Sequence, residues 1–139
     1  MASRNEEIVR RMFEVINRSE SADAAMAEGE DLMHPEIEWV NPEDAIEGGT
    51  RKGLTGMRTA LQNFYEGAGG GSTWELEEVQ GCGERVFIRA RLHVKGASSG
   101  AEAVGPLIGA VFTFQDRRVI RLGWHFNPDE AFAEFERGG

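Results

Sequence analysis

A cluster of acids follows a predicted strand end in the segment IEWVNPEDAIEGG, residues 37–49. Its three carboxylates come within a few residues of Asn41: Glu43, Asp44 and Glu47. A carboxylate against apolar walls has a pKa shifted towards neutrality and can act as a general acid or base. Asp44 is the best placed for such chemistry, because it is close behind Asn41 and beside an apolar pair. The competing interpretation is three solvated loop acids, since isolated acids on loops are usually exposed.

The three histidines are the other groups that could transfer protons. His34 precedes a proline at a helix–strand junction, where a capping or surface role is common. His93 alternates onto the outward side of its strand. His125 also alternates outward, but a one-residue bulge would turn it into the interior and make it a general-base candidate. The histidines lack H-x-H and E-x-x-H spacing, so we expect no metal site, and we expect no cofactor.

Three segments in the first half of the chain have the periodicity of amphipathic helices. The first, residues 3–19, pairs Ser3 with Glu6 at capping-box spacing, and its apolar face comprises Ile8, Met12, Val15 and Ile16. The second covers residues 23–33 and stops before a proline. The third begins at an N-cap, Thr55, and continues to a glycine-rich connector.

The remainder of the chain alternates apolar and polar residues with the period of β-strands. A short strand, Ile37–Asn41, precedes the third helix, with Trp39 and Asn41 on one side. A short helix or tail starts at Asn127, and four more strands precede it: residues 73–80, 85–95, 104–114 and 119–126. This order predicts an α+β fold with the helices on one face of an antiparallel sheet. Residues 104–114 are apolar on both faces, so we expect a second subunit to cover the outer face in a homodimer.

Length and charge exclude several classes of function. At 139 residues the chain predicts one domain, residues 1–139. A net charge of −9 argues against nucleic acid and anionic membrane surfaces, since both bind Lys and Arg. No apolar run approaches the roughly 20 residues of a membrane span. Without a second cysteine Cys82 forms no internal disulfide, and the N-terminus has no signal-peptide pattern, so we expect a cytoplasmic protein.

Two segments resemble SnoaL-like proteins: LMHPEIEWVNP at residues 32–42 and AVFTFQDRRVIRLGWHFNPDEAFAEF at residues 110–135. That family belongs to the superfamily named for nuclear transport factor 2, together with the ketosteroid isomerases. The resemblance covers nearly the whole chain. It implies a curved antiparallel sheet wrapped around the three helices. Sheet and helices together form a cone with an apolar pocket inside. Such proteins are often dimers that associate through the outer face of the sheet.

Strand alternation, laid onto that cone, predicts which side chains face the interior. Most of them are core residues, and those near the open end are expected to contact a ligand: Trp39, Asn41, Trp124 and Phe126. Tyr65, on the apolar stripe that it forms with Phe64 on the third helix, is expected to contact the ligand as well. Asn41 would lie among aromatic groups, where a buried amide needs a hydrogen-bond partner from a neighbour, a water molecule or a ligand. It is therefore the expected polar anchor.

The resemblance also indicates which chemistry is missing. The position that matches the catalytic base of ketosteroid isomerases is Asn41, and an amide exchanges no proton near neutral pH. The positions that match their oxyanion hole are Met12 and Ala110. The Asp-Arg-Asp relay of epoxide hydrolases is absent too, because Arg89 and Arg91 alternate outward. Steroid isomerisation by that mechanism is therefore not expected.

Two functions remain for the chain. The first is binding of an apolar, cyclic small molecule, with an isomerase, cyclase or dehydratase step if Asp44 or His125 moves a proton inside the cone. The alternative is a non-catalytic domain for dimerisation or regulation of a partner, whose cone is filled by its own side chains. A cavity able to hold a ligand, with Asp44 or His125 turned inward, distinguishes the first function from the second, and a closed cone would exclude ligand binding.

Overall fold

The computed structural model describes residues 3–43, 45, 49–68, 72–95 and 102–137. Its helices are α1 (Arg4–Arg18), α2 (Ala22–Gly29), α3 (Gly53–Ala68) and α4 (Pro128–Arg137). Its strands are β1 (Met33–Asn41), β2 (Gly49–Lys52), β3 (Thr73–Cys82), β4 (Arg85–Lys95), β5 (Glu102–Gln115) and β6 (Arg118–His125). One turn of 3-10 helix, Glu30–Leu32, joins α2 to β1. None of the helices within these ranges is long and apolar enough to span a membrane.

The six strands form one curved, open sheet in the order β2-β1-β6-β5-β4-β3. Neighbouring strands run antiparallel except β1 and β6, which pair in parallel with Trp39 opposite Leu122. A parallel pair needs a long crossover, and α3 with the three strands that follow it supplies one. The α+β class and the curved sheet on three helices are confirmed, and the parallel pairing is an addition to the prediction.

The N-terminus of α1 is held twice by Glu6. Ser3 Oγ accepts a hydrogen bond from the Glu6 amide at 3.2 Å, and Glu6 Oε1 accepts one from the Ser3 amide at 3.1 Å, which confirms the predicted capping box. The other carboxylate oxygen of Glu6 accepts from the Gly81 amide of β3 at 2.6 Å. A Cβ at Gly81 would lie 2.8 Å from that oxygen and displace it. One side chain therefore caps the helix and attaches its start to the sheet.

The sheet carries a separate hydrophobic cluster on each face. On the inner face, α1, α2 and α3 cover the larger cluster, whose fully buried members include Val9, Ile37, Met57, Ile88 and Phe112. On the outer face, α4 covers Phe87 and Val111 with its own Ala131 and Phe135. The prediction that another subunit covers the apolar outer face is therefore wrong at these positions, because α4 of the same chain does so. The homodimer itself remains a prediction.

Pairs of ionisable side chains connect β3 and β4 on the outer face. Three such pairs lie side by side: Glu75 with His93 at 2.8 Å, Glu77 with Arg91 at 3.1 Å and Glu78 with Arg89 at 3.8 Å. The outward direction predicted for Arg89, Arg91 and His93 is confirmed. These side chains therefore take no part in the interior of the cone.

The first two strands differ from the prediction. β1 starts at Met33 rather than Ile37, because Met33 already pairs with Val119 before a register shift. The edge strand β2 was not predicted, since its four residues carry no apolar alternation. It forms because it pairs with the end of β1, where Trp39 lies opposite Arg51.

Two predicted helix starts have different outcomes. α3 begins at Gly53, so Thr55 lies inside its first turn and its carbonyl accepts a hydrogen bond from the Thr59 hydroxyl at 3.1 Å. The prediction of Thr55 as N-cap is therefore wrong. At α4 the Asn127 side chain accepts from the Asp129 amide at 2.9 Å, as a residue capping that helix would.

Gly109 of β5 lies directly under α4, and we expect Gly109→Ala to destabilise the fold. A Cβ there would lie 2.7 Å from both Ala131 Cβ and Pro128 Cα. Overpacking of this kind lowers the free energy of unfolding by about 1–3 kcal/mol, which urea denaturation measures. Gly123→Ala is the matched control, because the nearest neighbour of its Cβ is Glu134 at 3.7 Å. Equal stability of the two variants would contradict the close approach of α4.

Candidate functional site

A cavity of about 390 Å³ lies between the inner face of the sheet and helices α1 and α3. All three tryptophans of the chain line it: Trp39 from β1, Trp74 from β3 and Trp124 from β6. Phenylalanines add to the aromatic wall: Phe13, Phe64, Phe112 and Phe126. The described polar lining consists of Asn41, Arg51 and Asn63. The cavity is therefore mainly aromatic and aliphatic, with polar groups at a few points.

Strand alternation and register bring the central residues together. Trp39 and Asn41 are two positions apart on β1, so their side chains project from the same face. The register sets Trp39 opposite Leu122 of β6, and Trp124 opposite Ala110 of β5. Directly paired residues project on the same side of a sheet. Trp39, Asn41 and Trp124 therefore converge on the inner face.

Asn41 joins two of the indoles. Its Oδ1 accepts a hydrogen bond from Trp39 Nε1 at 2.7 Å and another from Trp124 Nε1 at 2.9 Å. An amide oxygen has two lone pairs, so these bonds use its full acceptor capacity. The hydrogen-bond partners expected for this amide are therefore two neighbouring tryptophans. The bond from Trp124 also ties the end of β1 to the end of β6.

Phe126 lies at the rim of the cavity. Its ring packs edge to face on Trp124, with centroids 4.8 Å apart and an interplanar angle of 78°. The residue is 47% exposed, so it contacts both the cavity and solvent. Four of the five residues predicted to contact a ligand thus line one cavity: Trp39, Asn41, Trp124 and Phe126.

Tyr65, the fifth, is not part of this lining. Its hydroxyl donates to the Ile16 carbonyl at 2.7 Å, and its ring meets Phe64 edge to face. Burial raises the pKa of Tyr65, and a hydrogen bond with Ser19 partly offsets that rise. Consecutive helical residues point in directions about 100° apart, so Phe64 faces the cavity while Tyr65 faces the end of α1. The predicted role of Tyr65 is corrected accordingly.

His125 lies on the outer face, under α4. It pairs with Gly109, and its Nε2 lies 3.3 Å from Glu134 Oε1. The register irregularity between β5 and β6 is at Thr113 and Phe114, near the opposite end of the pair, so it does not reverse the direction of His125. The alternative in which His125 enters the cavity as a general base is therefore wrong.

The described lining has no carboxylate and no imidazole. Asp44, the predicted acid–base residue, lies outside the described residues. Met12 and Ala110, which match the oxyanion-hole positions, form apolar wall. Over the described ranges, no three His, Cys, Asp or Glu side chains are grouped to hold a metal ion. This part of the site can therefore select a ligand by shape and hydrogen bonding.

Trp74 is the main cavity residue that the sequence analysis missed. Asn17 of α1 holds its backbone: Asn17 Nδ2 donates to the Trp74 carbonyl at 2.8 Å, and Asn17 Oδ1 accepts from the Trp74 amide at 2.7 Å. Phe64 stacks on its indole with centroids 5.7 Å apart. Trp74 pairs with Leu92, which is two positions from Ala90 of the inner cluster and so projects from the same face of β4. Alignment of the two strands would therefore have assigned Trp74 to the inner face.

Comparisons relate the chain to known proteins. The family model of the SnoaL-like domain matches residues 9–122. A search of curated protein sequences finds no match. Among solved structures, Bal32a from a soil-derived mobile gene cassette is 24% identical with a TM-score of 0.72, and the alignment covers 96% of this chain and 97% of that one.

Two further solved structures are similar. TerC, co-crystallised with polyporic acid, is 24% identical with a TM-score of 0.68, over 95% of this chain and 97% of that one. A protein from Jannaschia sp. CCS1, described as a SnoaL-like polyketide cyclase, is 18% identical with a TM-score of 0.69, over 88% and 84% of the two chains. At these identities the likeness shows the fold.

Tyr65 is the sole tyrosine of the chain, so phenolate absorbance reports this one group. Because burial disfavours the charged form, we expect its pKa in the folded protein to lie above the ordinary value of about 10. Its contribution to stability is then complete below about pH 10 and is lost as the pH rises through the folded-state pKa. Ultraviolet titration of folded and urea-unfolded protein measures both values.

Tyr65→Phe is the control for that titration. The variant loses the hydrogen bond to Ile16, which lowers its stability at neutral pH by about 1 kcal/mol, but it has no phenol to ionise. Equal tyrosine pKa values in the folded and unfolded protein would contradict the burial of this hydroxyl.

Proposed function

The chain belongs to the SnoaL-like domain family, and on that premise we propose that it binds an apolar, cyclic small molecule in the tryptophan-lined cavity. The observation that carries the proposal is the convergence of all three indoles on one space, with the Asn41 amide bonded between two of them. Apolar pockets with a few convergent polar groups are the usual form of small-molecule sites. TerC, a protein of similar fold, was co-crystallised with polyporic acid.

The walls suit a ring system. Indole and phenyl groups offer flat apolar faces, which favour stacked or edge-to-face contact with other rings. Removal of apolar ligand surface from water supplies the driving force. The cavity volume of about 390 Å³ lies within the roughly 300–1,000 Å³ of typical ligand pockets.

For a catalysed reaction we assign the proton transfer to Asp44. The described lining has no carboxylate or imidazole, and Asp44 follows the cavity residue Asn41 by three positions. The reaction would be a cyclase, isomerase or dehydratase step on the bound ring compound, in which a carboxylate takes a proton and returns it. His125 is not part of this assignment, because it lies under α4.

Ligand binding is expected to quench or shift tryptophan fluorescence, since every indole of the chain lines the cavity. The panel comprises steroids, aromatic polyketides, terpenoids and flat cyclic ketones. We expect saturable binding, and we expect Asn41→Leu to raise Kd about tenfold, because it removes the polar anchor. His125→Gln, on the outer face, should bind as wild type does. Thermal unfolding of each variant checks that it is folded.

If no compound of the panel changes the tryptophan fluorescence, the proposal is contradicted. That result would favour the alternative of a non-catalytic domain that dimerises or regulates a protein partner. A ligand that binds is next assayed for turnover. Asp44→Asn is expected to retain binding and to lose about 10²–10⁴-fold in rate. Turnover at the wild-type rate in Asp44→Asn would remove Asp44 from the mechanism.

A homodimer through the outer sheet face is the second part of the proposal. Val104, opposite the outward-facing His93, is 67% exposed, and Leu107 lies opposite the outward-facing Arg91. Contact with a second chain would remove these apolar groups from water. Light scattering should therefore report two chains per particle for wild type and one for Val104→Glu. A wild-type particle of one chain would overturn the dimer.

A further inference from the structure

The amide of Asn41 has one permitted orientation. An indole N–H is a donor with no acceptor capacity, and both Trp39 and Trp124 direct theirs at the same atom of Asn41, at 2.7 and 2.9 Å. Rotation of the amide by 180° would set its NH₂ group against both donors and leave two indole N–H groups unpaired. The tryptophans therefore hold Oδ1 towards themselves and Nδ2 away.

The other end of the Asn41 amide, Nδ2, is a hydrogen-bond donor. Across the described residues it has no protein hydrogen-bond partner, although Asn41 is part of the cavity wall. Among the described residues, the buried side-chain nitrogen and oxygen atoms that make no hydrogen bond are Arg89 Nε and Glu134 Oε2. Asn41 Nδ2 is not one of them, so it retains accessible surface. Since Oδ1 is already saturated, this side chain presents only N–H donors to a ligand.

From this geometry we infer that the cavity selects ring compounds that present a carbonyl oxygen, as in ketones and quinones, over their hydroxylated counterparts. The inference rests on the proposed function and names its ligand class. The two indole bonds polarise the amide, and the surrounding apolar wall strengthens the remaining N–H as a donor. A carbonyl oxygen accepts from Nδ2 and has no proton of its own to satisfy.

A hydroxylated ligand is disfavoured at the same position. Its oxygen can accept from Nδ2, but its O–H then finds Oδ1 of Asn41 occupied by Trp39 and Trp124. An unpaired hydroxyl against aromatic wall loses the hydrogen bonds it had in water. We expect the alcohol of a matched pair to bind about tenfold more weakly than the ketone. Trp39 and Trp124 are thus positioning residues for selectivity, beyond their role as walls.

The test uses matched ketone and alcohol pairs: 9-fluorenone with 9-fluorenol, 1-tetralone with 1-tetralol, and a 17-ketosteroid with its 17-hydroxy form. Isothermal titration calorimetry at pH 8 measures each Kd for wild type and for Asn41→Asp. Aspartate has the shape of asparagine and accepts both indole bonds. We expect it to be ionised at pH 8, because those bonds favour its charged form and oppose the effect of the apolar wall. It has no N–H to donate and keeps free lone pairs. We expect Asn41→Asp to raise the Kd for ketones about tenfold and to bind the alcohol of each pair more tightly than the ketone.

A second variant tests the part played by the indoles. Trp124→Phe keeps an aromatic wall but frees one lone pair of Asn41 Oδ1. It should bind alcohols more tightly than wild type does, while the Kd for ketones changes less. The ratio of the alcohol Kd to the ketone Kd is therefore expected to fall. Circular dichroism and thermal unfolding confirm that both variants fold.

The outcomes separate this inference from the proposed function. A ketone preference that inverts in Asn41→Asp supports the inference. Equal binding within each pair, or a preference that Asn41→Asp leaves unchanged, overturns it and leaves small-molecule binding in place. Absence of binding for all six compounds, together with a silent fluorescence panel, overturns the proposed function and this inference with it.

Discussion

Strand β5 carries apolar side chains on both faces, and the removal of both faces from water organises the molecule. Successive residues of a strand alternate across the sheet, so Phe112 and Phe114 enter the inner cluster while Val111 enters the outer one. The inner cluster needs the first three helices as cover, and the outer cluster needs α4. The position of β5 in the middle of the sheet explains why both layers are required.

The cavity follows from an incomplete fit on the inner face. A curved sheet and straight helices do not fill all the space between them, and the space that remains here is lined by large aromatic residues. The indoles of Trp39 and Trp124 are half-buried, and Asn41 supplies one acceptor atom for both of their N–H groups. The NH₂ group of the same amide is the donor that we propose for a ligand. In this proposal one residue serves the fold through its oxygen and a ligand through its nitrogen.

Much of the site could be predicted from local patterns, and the failures have identifiable reasons. Alternation placed Asn41 and Trp124 on the inner face because the period of a strand depends only on its own backbone. Helical periodicity failed for Tyr65, because that residue and Phe64 both count as apolar in the stripe of α3 although only Phe64 faces the cavity. Strand alternation missed Trp74, since the inward assignment of that residue comes from its pairing with Leu92.

The sequence by itself determined which residues share a face of each helix and strand, and hence the α+β class and most of the inner wall. Only the tertiary structure decided how distant elements meet. The bond between Asn41 and Trp124 joins residues 83 positions apart, and it depends on the parallel pairing of β1 with β6. The cover of Phe87 by α4 is likewise a long-range choice. Periodicity is a local property of the backbone, whereas strand order and helix docking depend on which packing of the whole chain buries the most apolar surface.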